Sequence, residues 1–203
     1  MLRKTEKIGP LAHSSVHWLN VDQLPYVTSG VERFLLDVRG LTDGMLLTNG
    51  IEVCFAPYLS AEILSTVQPR DRVTVYGGLV GAVTVMSAVV IETMDGRRIV
   101  DDWSPAAEGN VKYREAQPPR RKLEVEALVR RALHGPTGEI RGGLLDDGTI
   151  VRFSPDGSGF VARLLRPASW LVARGEGIVT ELGTVIEVVE VGPSRDSLRR
   201  VRA

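Results

Sequence analysis

An internal repeat constrains the fold of this 203-residue chain more than any other feature of its sequence. Residues 31–77 align with residues 129–175 at an offset of 98 positions, and the alignment needs no gap. Both segments follow the frame Gly-x-x-x-Gly-x-Leu-Leu-x-x-Gly-x-x-Val-x-Phe-x-Pro, and a serine, a proline and a glycine then recur at matching places. Self-similarity at a fixed offset indicates one structural unit used twice. We therefore expect two copies of a small unit of about 65 residues.

Each unit is predicted to contain five strands, with a short helix between the third and the fourth. Runs rich in Val, Ile and Leu, separated by Gly, Pro and Asp, indicate the strands. In the second copy the predicted strands are residues 123–133, 139–145, 149–153, 170–179 and 183–191. In the first copy the last two strands are predicted at residues 72–79 and 83–92.

A tight hairpin turn is predicted between the second and third strands of both copies. It carries Asn49 and Gly50 in the first copy, and Asp147 and Gly148 in the second. Asn-Gly and Asp-Gly pairs tolerate the positive φ angles that two-residue hairpin turns require.

The third strand alternates between an inward and an outward face. Val151 and Phe153 share one side and are predicted to enter the barrel core. Val53 and Phe55 take the same places in the first copy. The outward positions are Glu52 and Cys54 in the first copy and Ile150 and Arg152 in the second.

The helix has predicted start and stop signals. Ser60 and Ser158 stand where a side-chain N-cap is expected, and apolar residues follow each serine at helical spacing. Pro69 and Pro167 then end the helical pattern.

This element order resembles the OB-fold, a five-stranded, partly open barrel. Residues 138–155, with the sequence Gly-Glu-Ile-Arg-Gly-Gly-Leu-Leu-Asp-Asp-Gly-Thr-Ile-Val-Arg-Phe-Ser-Pro, also resemble uncharacterised bacterial proteins described as having OB-type nucleic-acid-binding domains. The resemblance covers roughly residues 30–192 and implies no catalytic residues. The predicted fold is mainly β, with two tandem OB-fold-like barrels. An SH3-like or other small barrel is the alternative, because strand order alone does not fix topology.

Outside the two units, residues 97–103 are predicted as an added strand beside a sheet edge. A linker rich in proline and charge follows this strand. The predicted division is an N-terminal extension (1–29), a first barrel (30–93), an added strand and linker (94–122), a second barrel (123–192) and a basic tail (193–203).

Charge is unevenly distributed, although the formal net charge of the chain is zero. Residues 31–100 carry six Arg and eight acidic residues, and residues 123–192 carry seven Arg and ten acidic residues. The positive excess lies in the linker and the tail. Proteins that hold phosphates usually concentrate basic residues at the site, so the acidic barrels weigh against a strong phosphate grip.

We find no constellation that indicates catalysis. The lone Cys54 has no neighbouring base in sequence, and a cysteine nucleophile needs one. His13 and His17 have helical spacing, but no third metal ligand accompanies them. Asp146 and Asp147 are explained by their hairpin turn. We expect no enzymatic activity, no cofactor and no bound metal.

The predicted binding surface is the one that OB-folds usually use, namely the face of strands 2 and 3 with the loops between strands 1–2 and 4–5. Single-stranded nucleic acid binds there by stacking on aromatic residues and by cationic contacts. Tyr76 and Arg174 occupy the same repeat position and are the first pair to test. The candidate nucleic-acid contacts are Arg33, Arg39, Tyr58, Tyr76, Arg130, Arg141, Arg152 and Arg174.

The sequence therefore predicts a non-enzymatic binding protein, with single-stranded DNA or RNA as the first expected ligand. A protein-interaction or scaffolding module is the alternative, because near-neutral charge and mild hydrophobicity suit a protein partner. A small-molecule binder or unrecognised enzyme is the third hypothesis, which a deep pocket lined by converging polar groups would favour. One cysteine, no signal-peptide pattern and no long apolar run predict a cytoplasmic protein without membrane association. The second copy, with Arg152 facing outward, is the better candidate for an anionic partner.

Overall fold

A computed structural model describes residues 20–80, 83–102, 118–153 and 158–201, without the side chains of Asp22, Ser158 and Gly159. It contains two closed five-stranded barrels in tandem, as the repeat predicts. His13 and His17 lie outside the described residues.

The first barrel closes through a ring of strand pairs. The order is β1–β2–β3–β5–β4 and back to β1, and every pair is antiparallel except β3 with β5. This arrangement is compatible with an OB-like fold. The strands are β1 (Tyr26–Leu36), β2 (Thr42–Leu47), β3 (Glu52–Cys54), β4 (Arg72–Val80) and β5 (Val85–Thr93), with β6 (Arg98–Val100) added on β5.

The second barrel repeats this ring strand for strand. Its order is β7–β8–β9–β11–β10 and back to β7, again with one parallel pair, between β9 and β11. The strands are β7 (Arg121–His134), β8 (Ile140–Leu145), β9 (Ile150–Arg152), β10 (Trp170–Thr180) and β11 (Gly183–Gly192), with β12 (Arg199–Arg200) added on β11.

The repeat is longer than the sequence frame indicates. Strand β6 lies within the predicted added strand, and part of the predicted basic tail forms β12 at the corresponding place. Val100 pairs with Val90 just as Arg200 pairs with Glu190, which is an offset of 100. The offset grows by two because the hairpin of β10 and β11 is two residues longer than the hairpin of β4 and β5.

A short helix lies between the third and fourth strands of each barrel, as predicted. These are α1 (Ser60–Thr66) and α2 (Ser158–Leu164). The predicted N-cap role of Ser60 is wrong, because Leu59 precedes the helix and makes no side-chain cap. The Ser60 hydroxyl instead accepts a hydrogen bond from the backbone N–H of Thr42 at 3.1 Å, so it ties α1 to β2.

Each barrel has its own apolar core beneath its helix. Val53 and Phe55 are buried with Ile63 of α1 in the first barrel. Val151 and Phe153 are buried in the second, so the predicted inward face of the third strand is confirmed in both copies. Burial of this kind contributes about 1.5–3 kcal/mol for each large side chain, which makes the two cores the main support of the fold.

Two pairs of glycines recur in the repeat, and glycine is required at each pair for a different physical reason. Gly50 and Gly148 adopt φ angles of +86° and +88° in the hairpin turns, as predicted. Gly77 and Gly175 sit at strand irregularities, where an added Cβ would lie 2.0 Å and 1.8 Å from a backbone carbonyl oxygen of the neighbouring strand. Any side chain at these two positions would therefore push the strands apart.

Candidate functional site at the seam between the barrels

A third apolar cluster joins the two barrels. It is built from residues that point away from each barrel core, chiefly on β1 and β2 in the first copy and on β7, β8 and β9 in the second. We call this contact the seam. Its buried members are Leu35, Leu36, Leu46, Leu133, Leu144, Ile150, Ile178 and Val185.

The seam has approximate two-fold symmetry. Arg33 donates from Nη2 to the carbonyl oxygen of Gly148 at 2.9 Å, and Arg131 donates from Nη1 to that of Gly50 at 3.0 Å. Arg131 and Gly148 are the repeat counterparts of Arg33 and Gly50, so the two bonds are equivalent. The Nε atoms of both arginines are buried without a hydrogen-bond partner among the described residues, and burial lowers the pKa of Arg33.

Glu32 and Arg130 mark the symmetry axis on one side of the seam. The two residues are repeat counterparts, and they form an ion pair with each other. Residues related by a two-fold axis can meet only where they approach that axis. Both side chains are partly exposed, so this pair lies at the rim of the seam.

The symmetry breaks first at Glu52. This carboxylate is only 1% exposed; it accepts the backbone N–H of His134 at 2.8 Å and lies 3.2 Å from His134 Nδ1. The counterparts of these two residues are Ile150 and Leu36, and both belong to the apolar cluster. One half of the seam is therefore polar where the other is apolar.

It breaks a second time at Cys54, whose counterpart is Arg152. The Arg152 guanidinium is buried; it donates from Nε to the carbonyl oxygen of Leu36 at 2.8 Å and from Nη2 to Asp43 at 2.6 Å. The Cys54 thiol makes the equivalent contact to the carbonyl oxygen of His134, at 3.6 Å. Cysteine is much shorter than arginine, so this half of the seam is left unfilled.

A cavity of about 300 Å³ lies beside Cys54. Leu35, Phe55 and Ala88 contribute apolar wall, and residues 134–136 also line the cavity. The charged and polar residues that line it are Asp43, Glu52, Cys54, Ser87, Asp101, His134, Arg141 and Arg152.

Burial controls the ionisation of two groups in this cavity. It raises the pKa of Asp43 to about 6, against the opposing effect of Arg152. It also raises the pKa of the Cys54 thiol to about 12, and the nearby carboxylates of Glu52 and Asp43 add to that rise. The thiol therefore stays protonated at neutral pH.

The predicted binding face is largely occupied by this contact. Arg33 and Arg152 face the other barrel and bond to it, so their outward direction leads into the seam rather than into solvent. Arg130 also bonds to the other barrel, but it does so at the exposed rim. The loop between the first two strands also takes part: an added Cβ at Gly40 or Gly138 would lie 3.1 Å or 2.8 Å from a side chain of the other barrel.

Three further predicted arginines are engaged within their own barrel. Arg39 pairs with Asp37 at 2.7 Å. Arg141 and Arg174 each lie 2.6 Å from a glutamate of the same barrel. Arg141 also lines the cavity, so it is the one of these three that the structure places at the seam.

The two predicted tyrosines have different contacts. Tyr58 donates its hydroxyl hydrogen to Asp101, and burial together with this bond raises its pKa. Tyr76 lies on the outer surface of β4, with its ring centroid 5.7 Å from that of Tyr26. Tyr26 is 67% exposed, so the pair presents an aromatic surface. The counterpart of this pair is the ion pair between Arg174 and Glu124.

Sequence reasoning missed His134, Asp43 and Glu52 as members of one site. A signal was present, because Glu52 of the first copy has the apolar counterpart Ile150, and His134 of the second copy has the apolar counterpart Leu36. One such polar residue in each copy indicates a contact between them, provided that the two outward faces meet.

No known protein-family model matches the chain, and no curated protein sequence is similar to it. Among the residues that the structure describes, no helix is both long and apolar enough to cross a membrane.

Proposed function

We propose that this protein is a non-enzymatic binding module that takes a small polar ligand into the cavity beside Cys54. One observation carries the proposal. The faces that OB-folds commonly use for binding are packed against each other, and the cavity is an opening in that contact lined by converging polar groups. Its volume of about 300 Å³ is at the lower end of the range for small-molecule sites.

The charged groups of the cavity support binding rather than catalysis. Cys54 is held in its protonated, weakly nucleophilic form. Asp43 is held by the guanidinium of Arg152, and Glu52 is held by His134. Groups engaged in this way orient a ligand well, whereas a nucleophile needs a partnered base that activates it.

The proposal is tested by filling the cavity. A set of cationic, anionic and neutral polar compounds below about 300 Da is screened by ligand-observed NMR against the full chain and against Cys54→Arg. The added arginine occupies the cavity as Arg152 occupies its counterpart. Ser65→Arg, on an exposed position of α1, adds the same side chain elsewhere and is the matched control.

We expect compounds that bind the natural chain and Ser65→Arg but not Cys54→Arg. If every compound that binds does so equally to all three proteins, the cavity is not a ligand site and the proposal is wrong. The proposal is also wrong if no compound binds the natural chain.

Single-stranded nucleic acid is the second candidate, and the exposed pair of Tyr26 and Tyr76 favours it. Stacking of bases on aromatic rings contributes about 1–3 kcal/mol per base in such complexes. The pair lies outside the seam, on the outer surface of β1 and β4, so a strand bound there would not have to separate the barrels. A protein partner, the alternative expected from the neutral charge, stays a prediction.

Fluorescence anisotropy with labelled oligothymidylate and oligouridylate, at 20 mM and 200 mM salt, tests the second candidate. Binding that falls steeply with salt and that weakens at least tenfold in Tyr26→Ala/Tyr76→Ala supports it. Absence of binding at 20 mM salt, or binding unchanged in the double variant, contradicts it. A pull-down treated with nuclease then shows whether a protein partner remains.

A further inference from the structure

We propose that the ligand of the Cys54 cavity carries a guanidinium group. This inference rests on the proposed function of the cavity and names the chemistry that the cavity accepts. It comes from a comparison within the molecule, because the two-fold-related position already holds a guanidinium, that of Arg152.

The second copy shows what such a group meets at this place in the seam. The Arg152 guanidinium reaches one backbone carbonyl oxygen at 2.8 Å and one carboxylate at 2.6 Å, in a buried setting. Charge-assisted bonds of this kind are about twice as strong as neutral hydrogen bonds. In the other half of the seam the carbonyl oxygen of His134 takes the equivalent position. The counterpart of Asp43 there is Arg141, so the carboxylates that can accept from a ligand are those of Glu52 and Asp101.

In the half of the seam that contains Cys54, that carbonyl oxygen receives only the Cys54 thiol, at 3.6 Å, among the contacts of the described residues. A thiol is a weak donor, so a guanidinium N–H that reached this oxygen would gain a stronger bond than the one it displaced. The apolar side chains of Leu35, Phe55 and Ala88 provide wall against which a methylene stem can pack.

Charge in the cavity favours a cation. Asp43 and Arg152 form an ion pair, and the guanidinium of Arg141 lies 2.6 Å from Glu139. The carboxylates of Glu52 and Asp101 line the cavity in addition to these two pairs. Glu52 stands where the other copy has Ile150, so this half of the seam contains a buried carboxylate at a position that is apolar in the filled half.

An anion would fit less well. It would approach Arg141, Arg152 and His134, but these two arginines are already paired with Glu139 and Asp43. It would also face the carboxylates of Glu52 and Asp101 inside a partly enclosed space. Like charges that are poorly screened by solvent repel strongly. A planar guanidinium also offers five donors in a fixed fork, which suits a site that combines carbonyl and carboxylate acceptors better than a single ammonium does.

The guanidinium can come from a free small molecule or from an arginine side chain of a peptide. Both sources share the chemistry that the cavity recognises. Isothermal titration calorimetry of the full chain therefore uses four probes: butylguanidine, pentylamine, inorganic phosphate, and acetyl-arginine methylamide. Pentylamine matches the length and charge of butylguanidine without its fork.

We expect butylguanidine to bind at least tenfold more tightly than pentylamine, and phosphate to show no binding at the same concentrations. Tighter binding of acetyl-arginine methylamide than of butylguanidine points to a peptide source, and weaker binding points to a free compound. Binding of butylguanidine should be lost in Cys54→Arg and kept in Ser65→Arg.

A second variant guards against a folding defect in Cys54→Arg. Cys54→Arg/Arg141→Asp reproduces both members of the pair formed by Arg152 and Asp43, so it should fold and should also lose guanidinium binding. Circular dichroism and thermal unfolding verify the fold of each variant.

The outcomes separate this inference from the proposed function. If pentylamine or phosphate binds the natural chain as tightly as butylguanidine does, and this binding is lost in Cys54→Arg, the cavity is a ligand site and the guanidinium assignment is wrong. If butylguanidine fails to bind, the assignment is also wrong, and the compound screen then decides the proposed function by itself. If butylguanidine still binds both Cys54→Arg and Cys54→Arg/Arg141→Asp, it does not bind in the Cys54 cavity and the proposed location is wrong.

Discussion

The two halves of the seam use the same backbone frame and, besides Asp43 and its counterpart Arg141, differ in three side chains. One half has Leu36, Ile150 and Arg152, and it is filled. The other half has His134, Glu52 and Cys54 in the equivalent places, and it encloses a polar cavity. Packing between the barrels therefore depends on the shared frame. The capacity to bind a ligand depends on which half lacks a long side chain at the position of Arg152 or Cys54.

Arg152→Met gives the largest effect that we predict. The substitution keeps volume but leaves Asp43 buried without its cation, and breaking one side of a buried ion pair costs about 3–5 kcal/mol. The free energy of unfolding, measured by urea denaturation at pH 8, should fall by about that amount. Cys54→Met, at the two-fold-related position, should change it by less than about 1.5 kcal/mol. Equal effects would mean that the two halves are energetically alike.

The pH dependence of stability should reveal Asp43. Burial raises its folded-state pKa to about 6 from the ordinary value of 3.8, so the folded state binds this proton more tightly than the unfolded state does. The free energy of unfolding, relative to Asp43→Asn, should therefore fall as the pH rises from about 4 to about 7. The total change is at most about 3 kcal/mol, since one pKa unit corresponds to about 1.4 kcal/mol. A difference between the two proteins that is constant with pH would contradict this assignment.

The contact between Glu52 and His134 should appear as a coupling energy of about 1 kcal/mol in a double-mutant cycle. Glu52→Ala alone should destabilise by about 2 kcal/mol, because it leaves the backbone N–H of His134 buried without a partner. Chemical denaturation of Glu52→Ala, His134→Ala and the double variant measures the cycle. The matching cycle at Ile150 and Leu36 should show packing effects only, with no dependence on salt. If the effects of Glu52→Ala and His134→Ala are additive, the two side chains do not stabilise each other despite their proximity.

The rim pair of Glu32 and Arg130 should have the smallest effect. Because it is partly exposed, Glu32→Ala should cost about 0.2–1 kcal/mol, and less at high salt. The exchange Glu32→Arg/Arg130→Glu provides a sharper test, since the two positions are related by the axis. The exchanged pair should restore most of the loss in thermal unfolding experiments. Failure to restore it would show that the approximate symmetry does not extend to the rim.

The barrels themselves could be predicted because their signals are local. Val53 and Phe55 alternate with polar residues, and Gly50 follows Asn49 in a turn that requires positive φ. Each of these features depends on neighbours a few positions away. The predicted N-cap role of Ser60 is wrong because its hydroxyl bonds to Thr42, 18 positions earlier in the chain.

The seam could not be predicted in the same way. Alternation tells which side of a strand faces away from its core, but it does not tell whether solvent or another barrel lies there. Arg152 is expected from the pattern to be exposed, but only 6% of it is. The apolar character of Leu46 and Leu144 is visible in the sequence, but their outward direction gains meaning only when the two faces are seen to meet.

The reciprocal bonds of Arg33 to Gly148 and of Arg131 to Gly50 make the seam resemble the isologous interface of a homodimer. In such a dimer every substitution occurs twice, so a cavity opened on one side of the axis is opened on the other as well. A single chain that carries both copies is released from that rule. It can keep the buried contacts of Arg152 in one half while Cys54 leaves space in the other. The molecule then has one site, and the filled half stabilises the contact between the barrels.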